Sequence, residues 1–521
     1  MYPLNDNLKF SFVIVLAAAI VLLDVFPVSA SSSVNVPLDS SVYRDIEILA
    51  SRGLIKSGLF STGPFSRTEV GRLLYEAMDS LETKELPAKS SSEIIMNRLM
   101  ADYEDEVAEM QTGFSPGTII RLRDSFSIRY NYLNGPFSVY NNEGVDYFDG
   151  NNAQFEFRSY GKLWNVFSFY IQPVFLYNQH FGNIDGNDET EARLHRGYIK
   201  LTLSNFEIQV GRDSLWWGPA YHGSLLMSNN AHPFDMIKLS NPKATLLPWI
   251  FRYLGPFKFN LIFSELEDER TSSAVSNPYL YGLRLDFKPH PYFEVGLSQL
   301  CLFAGEGRRS LSFVDVVKIL YSNKNRDGTK LESNQQVAID FALTVPGVRR
   351  LVPVAESVKL YWEWGAEDTG TPPDKRGYIV GAAFYDFLLR DDMIFRAEYA
   401  NLNPSSVPGA WYTHSSYPMQ YDGRIFGHHA GSAAEDLFFE LSQDRIGRFS
   451  YQIGFDKERS GLDVRANVQE KYQVYVGIGY ELTEKSKIAV RYGYEKIRNY
   501  NNVADDDRNN HFIGTEFQVG F

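Results

Sequence analysis

The residue types best suited to chemistry gather in one segment, Gly211 to Pro233, which reads Gly-Arg-Asp-Ser-Leu-Trp-Trp-Gly-Pro-Ala-Tyr-His-Gly-Ser-Leu-Leu-Met-Ser-Asn-Asn-Ala-His-Pro. Trp216 and Trp217 offer flat aromatic faces, and Arg212, Asp213, His222, Asn229 and Asn230 offer hydrogen-bond donors and acceptors. That mixture suits carbohydrate, because a sugar presents C–H patches and hydroxyls side by side. The same residues also have a structural reading. Paired tryptophans near a strand end anchor a protein at a membrane interface. Gly218-Pro219 is a turn signal, and Asn229-Asn230 can close a loop that folds back on itself.

Two other groups could hold a cation. His428 and His429 are adjacent, but neighbours on a strand point to opposite faces, so the pair reads as part of a loop rather than a shared metal site. Asp505-Asp506-Asp507 could hold Ca²⁺ or a cation bridging to lipopolysaccharide, yet it lacks a full ligand set and reads as a solvated loop. A hydrolase needs a nucleophile, a base and an orienting group in register. With nine His in the chain and no such spacing, no catalytic residue is nominated. Neither enzyme activity, a metal nor a cofactor is expected. The single cysteine, Cys301, allows no disulfide within the chain and no Cys-based metal cage. A net charge of −13 argues against a nucleic-acid partner.

The elements that must position these groups are strands. Ile513, Thr515, Phe517, Val519 and Phe521 alternate with Gly514, Glu516, Gln518 and Gly520, so one face suits lipid and the other a wet lumen. Tyr472 to Leu482, Ile488 to Tyr494 and Ile120 to Tyr132 repeat the pattern, with Asp124 a blemish on the apolar side. Counted back from Phe521, short and long connections alternate, as periplasmic turns and extracellular loops do. One long connection is expected over Arg212–Lys243, with a strand following it up to a short turn at Leu254–Pro256. The 37 Phe, 32 Tyr and 7 Trp supply a lipid face and interface girdles. The fold class is therefore an all-β transmembrane barrel of about 18 antiparallel strands with a small N-terminal α-helical bundle. Inward charges of both signs, among them Arg121, Arg123, Arg129, Glu156, Arg158, Lys200, Glu363, Arg396, Glu398 and Glu440, favour a plugged or narrowed lumen over a free pore.

Ahead of the barrel, Lys9, the apolar run Phe10–Leu23 and Val28-Ser29-Ala30 form a secretory signal. Its apolar run of about 14 residues is too short to span a bilayer. Val42, Ile46 and Leu49 begin a helix that Gly53 can stop. Ser66-Arg67-Thr68-Glu69 is a capping box for a second helix, and a third runs over Ser92–Met110. The expected domains are a signal peptide over 1–30, a periplasmic helical domain over 31–116 and an outer-membrane barrel over 117–521.

Gly211-Arg212, Trp216-Trp217-Gly218-Pro219, Ser224-Leu225 and Ser228-Asn229-Asn230-Ala231 resemble the capsule-assembly Wzi family of outer-membrane proteins, with a looser echo at Gly427-His428-His429-Ala430-Gly431 and Ala434-Glu435. The resemblance extends in architecture to most of the chain. It implies a lectin-like, non-enzymatic role at the bacterial outer membrane, holding a capsular or other surface polysaccharide. Arg212, Asp213, Trp216, Trp217, His222, Asn229 and Asn230 are the candidate ligand residues. The other partners expected are outer-membrane lipid and lipopolysaccharide. Ile48 to Ile55 followed by Pro64 to Glu69 resembles an S-layer homology motif, which would add a contact with peptidoglycan. Two other readings remain: a porin-like diffusion channel, and a barrel-anchored tether to the cell wall through the helical domain.

Overall fold

The computed structural model describes residues 31–521 apart from 84–89, 182–189, 271–273, 322–326, 368–374, 404–410, 447 and 464–465. The expected leader at 1–30 lies outside the described residues. Among those described, eighteen antiparallel strands close into a barrel, from Thr118–Asn134 to Arg508–Gly520. The first and last strands pair from Ser125↔Gly520 to Asn134↔His511. Apolar side chains such as Ile199 and Ile478 keep 60% and 53% of their surface exposed on the outer wall, as a lipid-facing band requires. The blemish at Asp124 lies where the first strand slips out of register with its neighbour, between Arg121 and Ser125. The carbonyl of Asp124 accepts the Phe521 N–H at 3.0 Å, so the irregularity receives the chain's last residue.

One strand lies elsewhere than expected. Phe234–Ser240 pairs with Phe206–Asp213 on one side and Pro256–Glu265 on the other, so a strand falls inside the span read as loop. Its inward residues include Phe234 and Met236, because the lumen at that level is apolar. The stretch read as a strand instead carries Pro248, which cannot donate to a ladder, and forms the 3₁₀ turn Trp249–Leu254. Trp249, Ile250 and Tyr253 project from it, each more than two-thirds exposed, an aromatic anchor at the membrane edge. In the long connection 304–332, helix Phe313–Tyr321 packs through Ile319 near Cys301 and Phe303.

The N-terminal segment forms α1 (Val42–Ser51), α2 (Arg67–Thr83), α3 (Ser91–Asp102) and α4 (Glu104–Thr112). Val42, Ile46 and Leu49 of α1 are buried. The helix stops where Gly53 takes φ +69° and Leu54 N–H reaches back to Leu49 O at 3.0 Å, a left-handed turn that glycine adopts without strain. Ser66 Oγ accepts the Glu69 N–H at 3.1 Å, while the Glu69 carboxylate binds Arg72 at 2.7 Å. The expected third helix is two. Tyr103 leaves helical geometry at φ −122° and lays its ring 4.3 Å from the Arg67 guanidinium, which pairs with Glu106 on α4 at 2.6 Å.

These helices sit in the mouth that bears the short turns. Arg52 binds Asp386 at 2.6 Å and Asp392 at 3.0 Å, and Glu47 binds Lys359 at 3.0 Å and Arg396 at 2.9 Å. The chain before and after α1 enters the barrel. Asn35 bonds Gln209 at 3.0 Å and Asp213 at 2.7 Å, and Thr62 Oγ1 donates to Asp286 at 2.6 Å. From the opposite mouth, residues 214–233 and 411–433 fold inward. Trp217, Leu225, Met227, Trp411 and Phe426 bury a hydrophobic core inside the wall. The insertions from the two mouths meet as a two-residue ladder, Thr62↔Trp217 and Gly63↔Trp216.

Candidate glycan-binding site

The loop 214–233 is held by a buried carboxylate of the wall. Glu363, on strand Ser357–Glu367, accepts the N–H groups of Ala220 at 3.1 Å and Leu225 at 2.8 Å. Gly218 has φ +138°, and a Cβ there would collide with that carboxylate. The Trp216-Trp217-Gly218-Pro219 turn is thus shaped so that backbone donors can wrap one carboxylate. Trp217 is 1% exposed, in the core, whereas Trp216 is part-buried, with its Nε1–H on Gly218 O at 3.1 Å.

This turn walls a cavity of about 460 Å³ within the barrel, a volume that suits a small ligand. Trp216, Tyr221, His222 and Asn229 line it from the loop, Tyr140 and Asn141 from the loop after the first strand, and Tyr43, Arg44 and Glu47 from the helical segment. Arg396, Glu440, Tyr475 and Arg491 face it from the wall. A second cavity of about 450 Å³ shares Tyr140, Asn229 and Arg491 with the first. Tyr221 keeps 42% of its surface exposed while its hydroxyl donates to Glu440 at 2.9 Å and Arg396 lies 4.1 Å from its ring centre. Arg491 stacks 4.1 Å from the Tyr475 ring, and no carboxylate lies within ion-pair distance of it among the described residues. Aromatic rings with locked hydroxyls, beside a guanidinium without a counter-ion, can take both the apolar face and the hydroxyl or acid groups of a sugar.

The sequence-predicted residues divide. Trp216, His222 and Asn229 meet at the cavity. Asp213 and Asn230 are buried in loop and plug contacts: Asp213 holds Asn35 and Gln209, and Asn230 Nδ2 donates to Ile425 O at 2.9 Å. Arg212 does not join them. Its lumen-facing neighbours are Glu207, Gln209 and Asp213, so alternation turns it outward, where it pairs with Asp235 at 2.8 Å. Tyr140, Tyr221 and Arg491 line the cavity too, beyond the candidate set. Arg491 has a signal in its strand's alternation, and Tyr221 lies within the chosen segment; Tyr140 is in a long loop with no pattern to mark it.

His428 and His429 lie in a loop, as expected, but their rings stack at 4.4 Å and both side chains are buried. Burial holds both imidazoles below the ordinary histidine range, so they stay neutral. At Asp505–Asp507, Asp506 is engaged by Arg508 at 2.9 Å.

Comparison with known proteins agrees with this architecture. The profile of the family described as Capsule assembly protein Wzi matches residues 132–512, well over half of the chain. An uncharacterized 55.8 kDa protein in the cps region of Klebsiella pneumoniae is 24% identical over 312 residues, 58% of this chain and 52% of that protein; the chain thus matches about half the length of this relative. The solved structure of Escherichia coli Wzi, an outer membrane protein involved in group 1 capsule assembly and a carbohydrate-binding β-barrel, superposes with a TM-score of 0.68 at 16% identity, covering 94% of this chain and 99% of that one.

Proposed function

The chain belongs to the capsule assembly protein Wzi family of outer-membrane β-barrels, and on that premise we propose that it binds a surface polysaccharide and helps attach it to the cell, as a lectin-like protein without catalysis. The observation that carries this reading is the lumenal cavity where Trp216 and Tyr221 stand beside Arg44 and Arg491. The long loops that build it are the extracellular ones, and the helical segment occupies the periplasmic mouth. A polymer reaching the outer face would place a sugar unit on the rings and an acidic or hydroxyl group on the guanidinium. Since the whole chain carries −13, long-range steering would not draw in an acidic polymer, and the contact has to be local.

The test is capsule retention in a clean deletion strain, scored as cell-bound against released polysaccharide. Loss of cell-bound polymer to the medium, restored by the wild-type chain and not by a folded Trp216→Ala/Tyr221→Ala variant, supports the reading. Unchanged retention in the deletion strain contradicts it.

A further inference from the structure

Behind His222 lies a knot of imidazoles and carboxylates that glycan binding does not use. His222 comes from the loop 214–233, and His428 and His429 from 402–433. Asp436 lies on strand Ala434–Ile446, and Asp456 and Glu458 lie on Phe449–Ser460. The register sets Asp436 opposite Glu458, and alternation brings Asp456 to the same inner face. None of the six side chains is more than 10% exposed.

Three imidazole nitrogens converge on one oxygen. The Nε2 atoms of His222, His428 and His429 lie 3.6, 3.5 and 3.5 Å from Asp436 Oδ2. His429 Nε2 is 3.1 Å from Glu458 Oε1, and His222 Nε2 is 3.8 Å from Asp456 Oδ1. Hydrogen bonding does not account for this convergence. His429 and Glu458 are within hydrogen-bond reach of each other, but His222 Nε2, His428 Nε2, His429 Nδ1, Asp436 Oδ1 and both Asp456 oxygens are buried with no hydrogen-bond partner. Burying polar atoms without partners is costly, and a shared cation would satisfy them together. Donors sharing a zinc-sized ion at about 2.0–2.2 Å stand about 3.4 Å apart in a tetrahedron. The separations here are mostly too long for hydrogen bonds and close to that edge length. Charge points the same way. Lys471 pairs with Glu458, and three clustered carboxylates against that one lysine are a surplus of acid groups that a cation relieves. Glu398, nearby, is already met by the Tyr221 and His222 N–H groups and the Tyr361 hydroxyl.

We infer that His428, His429 and Asp436, whose ligand atoms all lie within 4.8 Å of one another, bind one divalent transition-metal ion of the zinc class, with His222, Asp456 and Glu458 beside them. Imidazole with carboxylate suits such an ion better than Ca²⁺ or Mg²⁺, which prefer oxygen alone. The ion ties the loop that carries His428 and His429 to the wall, and His222, 3.6 Å from Asp436, stands between the site and the rim of the cavity. The site is a staple for that loop, and its occupancy can be measured without any glycan.

The test uses the full chain, extracted from membranes in detergent without chelator. Metal content is measured first, followed by equilibrium dialysis against Zn²⁺ with Ca²⁺ as comparator. About one Zn²⁺ per chain is expected, with binding weakened at least about tenfold in His429→Ala and in Asp436→Asn, and unchanged in Trp249→Ala at the far edge of the barrel. Heat-modifiable electrophoretic mobility checks that each variant retains the closed barrel. If the variants do not fold, X-ray absorption of the Zn²⁺-loaded wild type decides: imidazole scattering is expected, and an oxygen-only shell overturns the inference. Absence of stoichiometric Zn²⁺, Ni²⁺ or Mn²⁺ from the wild type, or undiminished binding in the folded variants, overturns it too.

Discussion

At Gly218 a methyl group would occupy the place of the Glu363 carboxylate, in a backbone conformation that side chains disfavour. Gly218→Ala is expected to cost about 3 kcal/mol through strain and loss of the carboxylate's backbone donors. Urea unfolding of the detergent-solubilised chain, compared with wild type, checks this. At the cavity, Tyr221→Ala and Arg491→Ala should each weaken polysaccharide binding about tenfold, the equivalent of about 1.4 kcal/mol. Tyr221→Phe, which keeps the face and loses the bond to Glu440, should cost less. Arg212→Ala should leave binding unchanged, because its guanidinium is outside the wall, paired with Asp235. The sequence marked Trp216, His222 and Asn229 by type, and they do meet. It could not mark the cluster of His222 with His428 and His429, since these residues come together from loops some two hundred positions apart, and chain adjacency alone argued against a shared role for the histidine pair.

Among the elements, the alternating strands were legible wherever one face meets lipid and the other polar side chains. Legibility failed at Phe234–Ser240, whose inner face meets Trp217 and Phe426 rather than water. The inner face runs from Phe234 and Met236 to Lys238 and Ser240 and the outer from Asp235 to Ile237 and Leu239, so neither has one character to read. The plug was readable as helices, through the Val42–Ile46–Leu49 stripe and the Ser66 cap, but its partners on the wall were not. The resemblance of Ile48–Ile55 to an S-layer motif falls on residues that help dock α1, where Arg52 holds Asp386 and Asp392. Arg52→Ala should loosen the plug by about 3 kcal/mol, because it strands two part-buried carboxylates, and should raise protease cleavage within 31–113. Glu47 sets the acid response. Burial would push its carboxyl up, but Lys359 and Arg396 overrule that and bring it down to about 2. Its contribution is therefore complete above the ordinary glutamate range, near 4.5, and is lost as the pH falls toward 2. Protease cleavage of the plug should rise across that acid window in the wild type, and Glu47→Gln should flatten the dependence.

The molecule as a whole is a barrel filled from both ends. Residues 32–65 enter from one mouth and residues 214–233 and 411–433 from the other, and they join at Thr62–Trp217. That arrangement predicts no steady ion conductance in planar bilayers, whereas stepwise conductance from the purified wild type would favour the diffusion-channel reading. Mixed-sign charges along the inner face were the sequence's trace of this filling; the hydrophobic core inside the wall left none, because half of it lies in loops without periodicity and the rest, such as Ile262, Leu280 and Ile379, on strands whose other face is apolar too. The central claim is that the filled lumen forms a binding site for a surface polysaccharide. Its most direct test is equilibrium binding of the purified chain to the surface polysaccharide of its own strain, with a Trp216→Ala/Tyr221→Ala variant run beside it. The account predicts saturable binding by the wild type and a loss of at least tenfold in a variant that keeps its folded mobility. No binding by the wild type, or equal binding by both, would contradict it.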